Sequence, residues 1–319
     1  MMGNHMGCPY ERQNSPPPNA TRWRNSPQNL FVPNPLFPGW YADPEIHFFE
    51  NKFWIYPTTS APFTQQTKFE AWSSTDLVNW TNEGHILDFD DILWSTQFAA
   101  WAPSCAEKNG KYYFYFSAGD GAGIGVATSD SPGGPFKDAL GIPIVHGYPH
   151  GAQAIDAHCF QDDDGQAYLY FGGHRKCVVG RFAPTMRAFN TAFRDVTPRE
   201  EYVEGPFCIK RKGLYYLMWS EGGWGNDTYC AAYGISESPW GPFEYQGPVL
   251  QNNLKVATSA GHHSALKLPN TEDDWIVCYH RRPLGETSPH HRVTCLERMH
   301  FRADGTIEPV ELSFEGVTL

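Results

Sequence analysis

The sequence predicts an all-β fold, a five-bladed β-propeller in a single domain. The first observation is that five similar units begin about fifty to sixty residues apart, a period typical of propellers. The second is that each unit opens with a short strand, turns through polar residues or glycine, and continues in an aromatic strand. The third is that no stretch shows a long helical pattern, while turn residues separate many short strand-like runs.

The five units supply the strands of the predicted blades in chain order. In each unit the first two strands form a hairpin, which we place at 43–60, 102–119, 155–173, 204–223 and 261–282. A third strand follows at 69–74, 124–129, 177–182, 229–236 and 292–297. A fourth run closes the units, as at 84–89, 244–250 and 307–312. Four short antiparallel strands in each of five repeats are the pattern of a five-bladed propeller.

Composition and charge exclude some classes of function. The formal net charge of −11 argues against a nucleic-acid partner, because proteins that bind nucleic acid carry a basic face. The chain contains no apolar run long enough to span a membrane. Its 11 Trp and 16 Tyr are more than a core needs. Flat aromatic rings stack on the apolar faces of sugars, so carbohydrate is the partner that the composition favours.

The N-terminal stretch differs in character from the rest of the chain. Residues 1–32 are rich in Pro, Asn, Ser and Arg without periodicity, so we expect an arm there, and its first residues resemble the remnant of an expression tag. We expect the propeller to occupy 33–319, with no second domain. The 8 cysteines include no CxxC pair, so buried free thiols are expected rather than a zinc site. Free thiols favour a cytoplasmic compartment, although removal of a signal peptide would leave secretion open.

Three carboxylates stand at the heads of the strands that would line the central channel. Asp43 lies in GWYADPEI, and Asp156 and Glu204 begin the third and fourth units. Alone, an Asp-Pro pair indicates a turn, but repeat symmetry brings the three residues into one pocket. Two carboxylates flanking a pocket can hydrolyse a glycosidic bond, one as an acid of raised pKa and the other by activating water or attacking the sugar. A third carboxylate would raise the pKa of the acid by like-charge repulsion.

Five segments together resemble glycoside hydrolase family 43, a family of five-bladed propellers. They are NPLFPGWYADPEI (34–46), WAPSC (101–105), IDAHCFQDDDGQAYLYFGG (155–173), EGPF (204–207) and GHHS (261–264). Members of this family are inverting enzymes. The resemblance implies that Asp43 is the general base, Glu204 the general acid, and Asp156 the residue that tunes and orients the acid. An inverting geometry implies roughly 6.5–9.5 Å between the base and acid carboxyl groups.

The resemblance also implies a substrate class. The segment near WAPSC and the long aromatic strand KYYFYFSAG are similar to exo-acting β-xylosidases and α-L-arabinofuranosidases. We therefore expect an enzyme that releases terminal xylose or arabinofuranose from plant cell-wall oligosaccharides. Two alternatives stay open at this point. One is an endo- or exo-arabinanase of the same fold, and the other is a non-catalytic propeller that binds carbohydrate.

Aromatic and arginine side chains near the strand heads are candidates for contact with the sugar. Trp101, Phe98 and Trp40 are candidates for a stacking wall, with packing between blades as the alternative for Trp40. In YHRRP, the resemblance favours Arg282, the arginine before the proline, as a donor to sugar hydroxyls. Trp224, in the glycine-rich loop EGGWGND, is a candidate cap over the pocket.

The fifth unit opens with two histidines, His262 and His263. Both could be ordinary channel histidines with hydrogen-bond partners. The resemblance implies instead that the first of them, His262, coordinates a calcium ion, or a water cluster, on the propeller axis. Calcium prefers oxygen ligands, so most of its ligands there would be waters.

Overall fold

The chain folds into five antiparallel sheets arranged as blades around an axis, in a computed structural model that describes residues 31–318. This architecture confirms the predicted five-bladed propeller. The strands are β1 (Phe31–Val32), β2 (Tyr41–Phe49), β3 (Lys52–Thr59), β4 (Lys68–Ser74), β5 (Thr81–Asp88), β6 (Trp101–Lys108), β7 (Lys111–Ala118), β8 (Gly123–Ser129), β9 (Lys137–Asp138), β10 (His158–Gln161), β11 (Ala167–Phe171), β12 (Val178–Arg181), β13 (Arg194–Asp195), β14 (Tyr202–Arg211), β15 (Leu214–Glu221), β16 (Cys230–Ser236), β17 (Glu244–Leu250), β18 (Ala257–Lys267), β19 (Trp275–Pro283), β20 (Val293–Met299) and β21 (Val317–Thr318). Helical structure in the described residues is limited to three short 3-10 turns, Phe63–Gln65, Phe89–Asp91 and Pro149–Gly151.

Four blades have four strands and one has three. Blade 1 is β2–β5, blade 2 is β6–β9, blade 3 is β10–β13, blade 4 is β14–β17, and blade 5 is β18–β20. The first strand of each blade lies innermost. The hairpins predicted from the repeat coincide with the first two strands of every blade.

The predicted fourth strand of blade 5, at 307–312, is wrong. This segment instead bridges to blade 4, where Val310 donates its N–H to Val249. The outer edge of β20 is already used by residues from the other end of the chain. Leu36 donates its N–H to the carbonyl of Thr294, and the Asn34 side chain accepts the N–H of Leu296.

The two ends of the described chain close the ring of blades. β1 pairs antiparallel with β21. Beside this pair, the buried amide of Asn34 donates to the Leu296 carbonyl at 3.0 Å and to the Glu297 carboxylate at 2.9 Å. The carboxylate also accepts the backbone N–H of Ser313 at 2.8 Å. One side chain therefore joins the start of the propeller to β20 and to the C-terminal segment.

The core consists of five hydrophobic clusters, each between two neighbouring blades. Three buried tyrosines from second strands add a hydrogen bond across these interfaces. The donors and their carbonyl acceptors in the next blade are Tyr56 to Pro132 (2.8 Å), Tyr115 to Met186 (2.8 Å) and Tyr170 to Pro239. Apolar packing and buried hydrogen bonds thus fix the angle between blades, and with it the positions of the innermost strands.

The remaining sequence predictions concern the arm, the thiols and the membrane. Residues 1–30 of the predicted arm lie outside the described residues, whereas Phe31 and Val32 form β1. The cysteines between residues 31 and 318 form no disulfide, and all but Cys230 are buried. Within the same range, the chain has no helix with the length and hydropathy of a membrane span.

We expect Asn34→Ala to lower the free energy of unfolding by about 2–4 kcal/mol, because it leaves buried donors and acceptors of β20 unpaired. Thermal unfolding followed by circular dichroism would measure this loss. Asn82→Ala, which removes an exposed amide bonded to Glu70, is the control and should change stability by less than about 0.5 kcal/mol. Equal stability of the two variants would contradict the assigned role of Asn34 in closing the ring.

Candidate active site

Each blade has a residue with a positive φ at the matching position near the head of its innermost strand. The five residues, with φ between 20° and 64°, are Asp43, Ala102, Asp156, Gly205 and His262. In four blades this residue lies in a β-bulge, and in blade 3 it lies just ahead of β10. A bulge locally interrupts the ladder and re-aims side chains. It explains how a strand can present a carboxylate at the mouth of the channel.

Each bulge also turns a backbone N–H away from its own sheet. In three blades a hydroxyl from the second strand of the preceding blade accepts that N–H. The pairs are Ala102 with Thr58 (2.7 Å), Asp156 with Ser117 (2.9 Å) and His262 with Ser220 (3.1 Å). The unusual backbone conformation is therefore held by the neighbouring blade.

The two remaining blades satisfy this N–H differently, and both differences involve carboxylates. The N–H of Asp43 is donated to Nδ1 of His280 at 3.0 Å. In blade 3, Gly172 occupies the position that carries the hydroxyl elsewhere, so no hydroxyl accepts the N–H of Gly205. That N–H instead interacts with the carboxylate of Asp156 and favours its ionised form. A side chain at Gly172 is excluded, because its Cβ atom would collide with the carbonyl oxygen of Lys176.

A pocket with about 420 Å³ of empty space lies over these bulges. Its lining residues are Asp43, Phe63, Trp101, Ile155, Asp156, Glu204, Trp224, His262 and Arg292. The structure thus brings the three predicted carboxylates together. Asp43 lies in a bulge, and Asp156 lies at the matching position ahead of β10. Glu204 is the residue before this position in its blade, as are Trp101 and Ile155 in theirs.

Asp43 is surrounded by nitrogen atoms. Its Oδ1 lies 3.4 Å from Nη1 of Arg292, 3.4 Å from Nδ1 of His262 and 3.2 Å from Nδ1 of His280. Burial alone would raise the pKa of Asp43, but the charge of Arg292 and the contacts with both histidines outweigh it and hold the pKa well below the usual range. Burial lowers the pKa of His262 and of His280, so both rings are neutral near pH 7 and Arg292 is the cation of the site.

Glu204 and Asp156 have the opposite electrostatic environment. Burial, together with the negative charge of Asp43, raises the pKa of Glu204 to about 7, although a hydrogen bond from Tyr229 opposes this. Burial and repulsion by Glu204 and Asp43 also raise the pKa of Asp156 well above its ordinary value. Because ionisation of one of these two carboxyl groups opposes ionisation of the other, the pair retains at least one proton near neutral pH, while Asp43 is ionised.

Aromatic side chains from loops surround the entrance. The Phe63 ring contacts Trp101 at a centroid distance of 4.8 Å and Trp224 at 5.8 Å. His290 contacts both Phe63 and Trp224, and the guanidinium of Arg292 lies over the Trp224 ring at 5.2 Å. These rings bring together loops from blades 1, 4 and 5, so the entrance is bounded on several sides.

The predicted sugar contacts divide into two groups. Trp101 and Trp224 line the pocket, as expected from their places in the sequence. Trp40 and Phe98 are not among the lining residues. Trp40 is 38% exposed and stacks on His291 at a centroid distance of 4.4 Å. The loop of Phe98 is held by a bond from the N–H of Gly119 to the Phe98 carbonyl.

The arginine of the pocket is Arg292, which corrects the expectation for Arg282. Arg282 lies near the end of β19 and donates through Nη1 to the carbonyl of Gly225 at 2.9 Å, outside the pocket lining. Arg292 immediately precedes β20, and third strands begin at the same end of the blade as first strands. The place of Arg292 at the head of the third run of the fifth unit, 292–297, was the sequence signal that could have identified it. Phe63 and Ile155 were also missed, and no sequence pattern singled them out.

The donor set near His262 would suit only a hydrated metal ion. The described residues contain no cluster of three or more His, Cys, Asp or Glu that could hold a metal. Nδ1 of His262 faces Asp43 and Asp156, at 3.4 and 3.6 Å, which leaves Nε2 as its one available ligand atom. The oxygens of Glu45, the nearby axial carboxylate, already accept bonds from Ser104 and Cys105. A calcium ion would therefore take most of its ligands from water.

The propeller and its pocket of differently ionised carboxyl groups define a glycoside hydrolase. More particularly, the chain belongs to glycosyl hydrolases family 43, whose model matches residues 32–307. It is 48% identical to beta-D-galactofuranosidase xynD of Aspergillus niger, over 91% of this chain and 88% of that protein. It is 30% identical to xylosidase/arabinosidase 43A of Humicola insolens, over 83% and 95% of the two chains.

A solved structure agrees with this assignment. It is a family 43 beta-xylosidase/alpha-arabinofuranosidase from a compost microbial metagenome, in complex with xylotriose and in a calcium-free form. The TM-score is 0.75 at 28% identity, over 89% of this chain and 98% of that one.

We expect Arg292→Gln to move the acidic limb of the pH profile of kcat/KM upward. Asp43 must be ionised to act as a base, and removing the guanidinium raises its pKa, so activity is lost at a higher pH as the pH falls. Initial rates on an aryl glycoside between pH 3 and pH 9 would show the shift. Arg282→Gln is the matched control and should leave the limb in place. A limb that moves equally in both variants would contradict the assignment of Arg292 to Asp43.

Proposed function

We propose that the protein is an inverting, exo-acting glycosidase that releases terminal arabinofuranose or xylose from plant cell-wall oligosaccharides. The observation that carries this proposal is the difference in protonation between two carboxyl groups of the pocket. Asp43 is ionised beside Arg292, while Glu204 retains a proton in a buried position. Such a pair supplies the base and the acid of single-displacement glycoside hydrolysis.

Each carboxyl group has one role in this reaction. Asp43 removes a proton from a water molecule, which attacks the anomeric carbon of the sugar. Glu204 gives its proton to the oxygen of the leaving group as the glycosidic bond breaks. Asp156 and Glu204 repel each other when both are ionised, so an ionised Asp156 favours the protonated form of Glu204. The guanidinium of Arg292 keeps Asp43 ionised and offers N–H donors to sugar hydroxyls.

The shape of the entrance supports exo action rather than endo action. An endo-acting arabinanase needs a groove that is open at both ends. Here the mutual contacts of Phe63, Trp101 and Trp224 bound a small apolar opening. A non-catalytic sugar-binding propeller is a poorer account, because a binding site gains nothing from three buried carboxyl groups, whose burial costs free energy.

A second candidate substrate is a terminal β-D-galactofuranoside, favoured by the name of the relative that is 48% identical to this chain. The two furanosides are chemically close. β-D-Galactofuranose and α-L-arabinofuranose have the same ring configuration and differ in the exocyclic group, which is one carbon longer in galactofuranose. A pocket for arabinofuranose needs only additional room beyond the ring to accept galactofuranose.

Aryl glycosides of β-D-xylopyranose, α-L-arabinofuranose and β-D-galactofuranose would test the substrate. We expect cleavage of the arabinofuranoside or the xyloside, with inversion visible by proton NMR of the first product. Asp43→Asn on these substrates, and Glu204→Gln on an alkyl glycoside of the same sugar, should each reduce kcat by about a hundredfold to ten-thousandfold without loss of folding.

The other outcomes of this panel are equally informative. Cleavage of the galactofuranoside alone would select the second candidate. Release of oligomers from arabinan, with all three aryl glycosides intact, would select the arabinanase. Full activity of Glu204→Gln would remove Glu204 from the mechanism.

We also propose that a calcium ion on the axis is bound through Nε2 of His262 and otherwise by water. When bound, such an ion would add positive charge beneath the carboxylate pocket. We expect treatment with a chelator to lower Tm by several degrees and added calcium, but not magnesium, to restore it. Differential scanning calorimetry of the same protein before and after chelation measures the effect. An unchanged Tm in all three conditions would leave water alone at this position.

A further inference from the structure

Tyr229 is a buried tyrosine that contacts the carboxyl group of Glu204 and the histidine that supports Asp43. It immediately precedes β16 and is 1% exposed. Its hydroxyl donates to Oε1 of Glu204 at 2.9 Å. Its ring stacks on His280, with centroids 5.7 Å apart and planes at 11°. His280 in turn accepts the backbone N–H of Asp43.

The close approach of Tyr229 depends on a glycine. A Cβ atom at Gly261 would overlap two atoms of the Tyr229 ring, closer than real Cβ contacts allow. Gly261 immediately precedes the bulge residue His262 on β18. The backbone at the head of blade 5 therefore leaves space for this aromatic ring directly beside the acid.

Tyr229 is the last hydroxyl in a chain of hydrogen bonds that ends on Glu204. The N–H of His262 is donated to Oγ of Ser220 at 3.1 Å. Because Tyr229 gives its only hydroxyl hydrogen to Glu204, the Ser220 hydroxyl is the donor in its contact with Tyr229. Tyr229 then donates to Glu204. All donors point toward the carboxyl group, and hydrogen bonds aligned in this way strengthen one another.

We propose that Tyr229 is a positioning residue for the leaving-group acid: it occupies Oε1 of Glu204, so that Oε2 carries the proton that is transferred. This inference rests on the proposed role of Glu204 as the general acid. A carboxylic acid has one proton and two oxygens, and an oxygen that accepts a bond from Tyr229 is the poorer place for that proton. The phenol thus selects the oxygen that faces the substrate.

The same bond sets the pH range of the acid. The charged or titratable groups that face Glu204 come from several elements: Asp43, Asp156, Tyr229, His262 and Arg292. The two carboxyl groups favour the protonated form of Glu204, whereas the donor Tyr229 and the cation Arg292 favour the ionised form. Removing the phenol hydroxyl should therefore raise the pKa of Glu204.

The first test is the pH profile of kcat/KM for Tyr229→Phe on an alkyl glycoside of the sugar identified in the panel above. The alkaline limb, where Glu204 loses its proton, should move upward by about one pH unit. Ser220→Ala should move it in the same direction by less. Tyr216→Phe is the control: this tyrosine is 1% exposed, donates to the Gly305 carbonyl at 2.9 Å and lies outside the pocket lining. An alkaline limb in Tyr229→Phe that coincides with the wild-type limb would overturn the proposal.

The second test separates positioning of the proton from loss of structure. An aryl glycoside with an acidic phenol leaves with little help from an acid, whereas an alkyl glycoside or a natural oligosaccharide needs the proton. Tyr229→Phe should reduce kcat about tenfold or more on the second kind and only a few-fold on the first. Equal losses on both kinds would show that the residue acts only through structure.

Glu204→Gln, assayed on the same two substrates, distinguishes failure of the proposed role of Glu204 from failure of the proposal for Tyr229. If this variant retains the alkaline limb, the proposed role of Glu204 fails, and the proposal for Tyr229 fails with it. If the limb depends on Glu204 and is still unmoved in Tyr229→Phe, only the proposal for Tyr229 fails.

Discussion

The site depends on how five backbone N–H groups are satisfied. A positive φ at a non-glycine residue costs on the order of 1–3 kcal/mol, and a buried unpaired N–H costs a similar amount. Hydroxyls from the preceding blade remove the second cost for Ala102, Asp156 and His262. In the other two blades no hydroxyl accepts the N–H, and in both of them the N–H contact involves an aspartate of the pocket. His280 supports the carboxylate of Asp43, and Gly172 leaves the N–H of Gly205 for Asp156.

One cation then gives the carboxyl groups different protonation states. Three acids in one buried pocket cannot all ionise without large repulsion. Arg292 lies directly against Asp43, so ionisation of Asp43 is the least costly. That negative charge makes ionisation of Glu204 and Asp156 harder in turn. The ionised Asp43 and the protonated form of Glu204 are thus two consequences of the same ion pair, because the negative charge that Arg292 stabilises on Asp43 disfavours a second negative charge on Glu204.

Much of the fold and part of the site were predictable from sequence, for identifiable reasons. Repeat symmetry located the innermost hairpins and the three carboxylates, because equivalent strand heads meet at one end of a propeller. It failed at 307–312, where residues from the opposite end of the chain occupy the edge of β20. The family resemblance of YHRRP favoured Arg282, whereas the arginine beside Asp43 is Arg292, because a local segment does not show which arginine reaches the channel. Tyr229 and His280 act from outside the first strands, where the repeat carries no signal of proximity.

The chemistry and the choice of sugar lie on different parts of the fold. The carboxyl groups stand on or beside innermost strands, whose positions are fixed by packing between blades. The rings around the opening, such as Phe63, Trp224 and His290, come from connecting segments. Such segments can change length and side chains without moving the strands that carry the acid and the base. This separation explains how relatives named for galactofuranose, xylose or arabinose can share one fold.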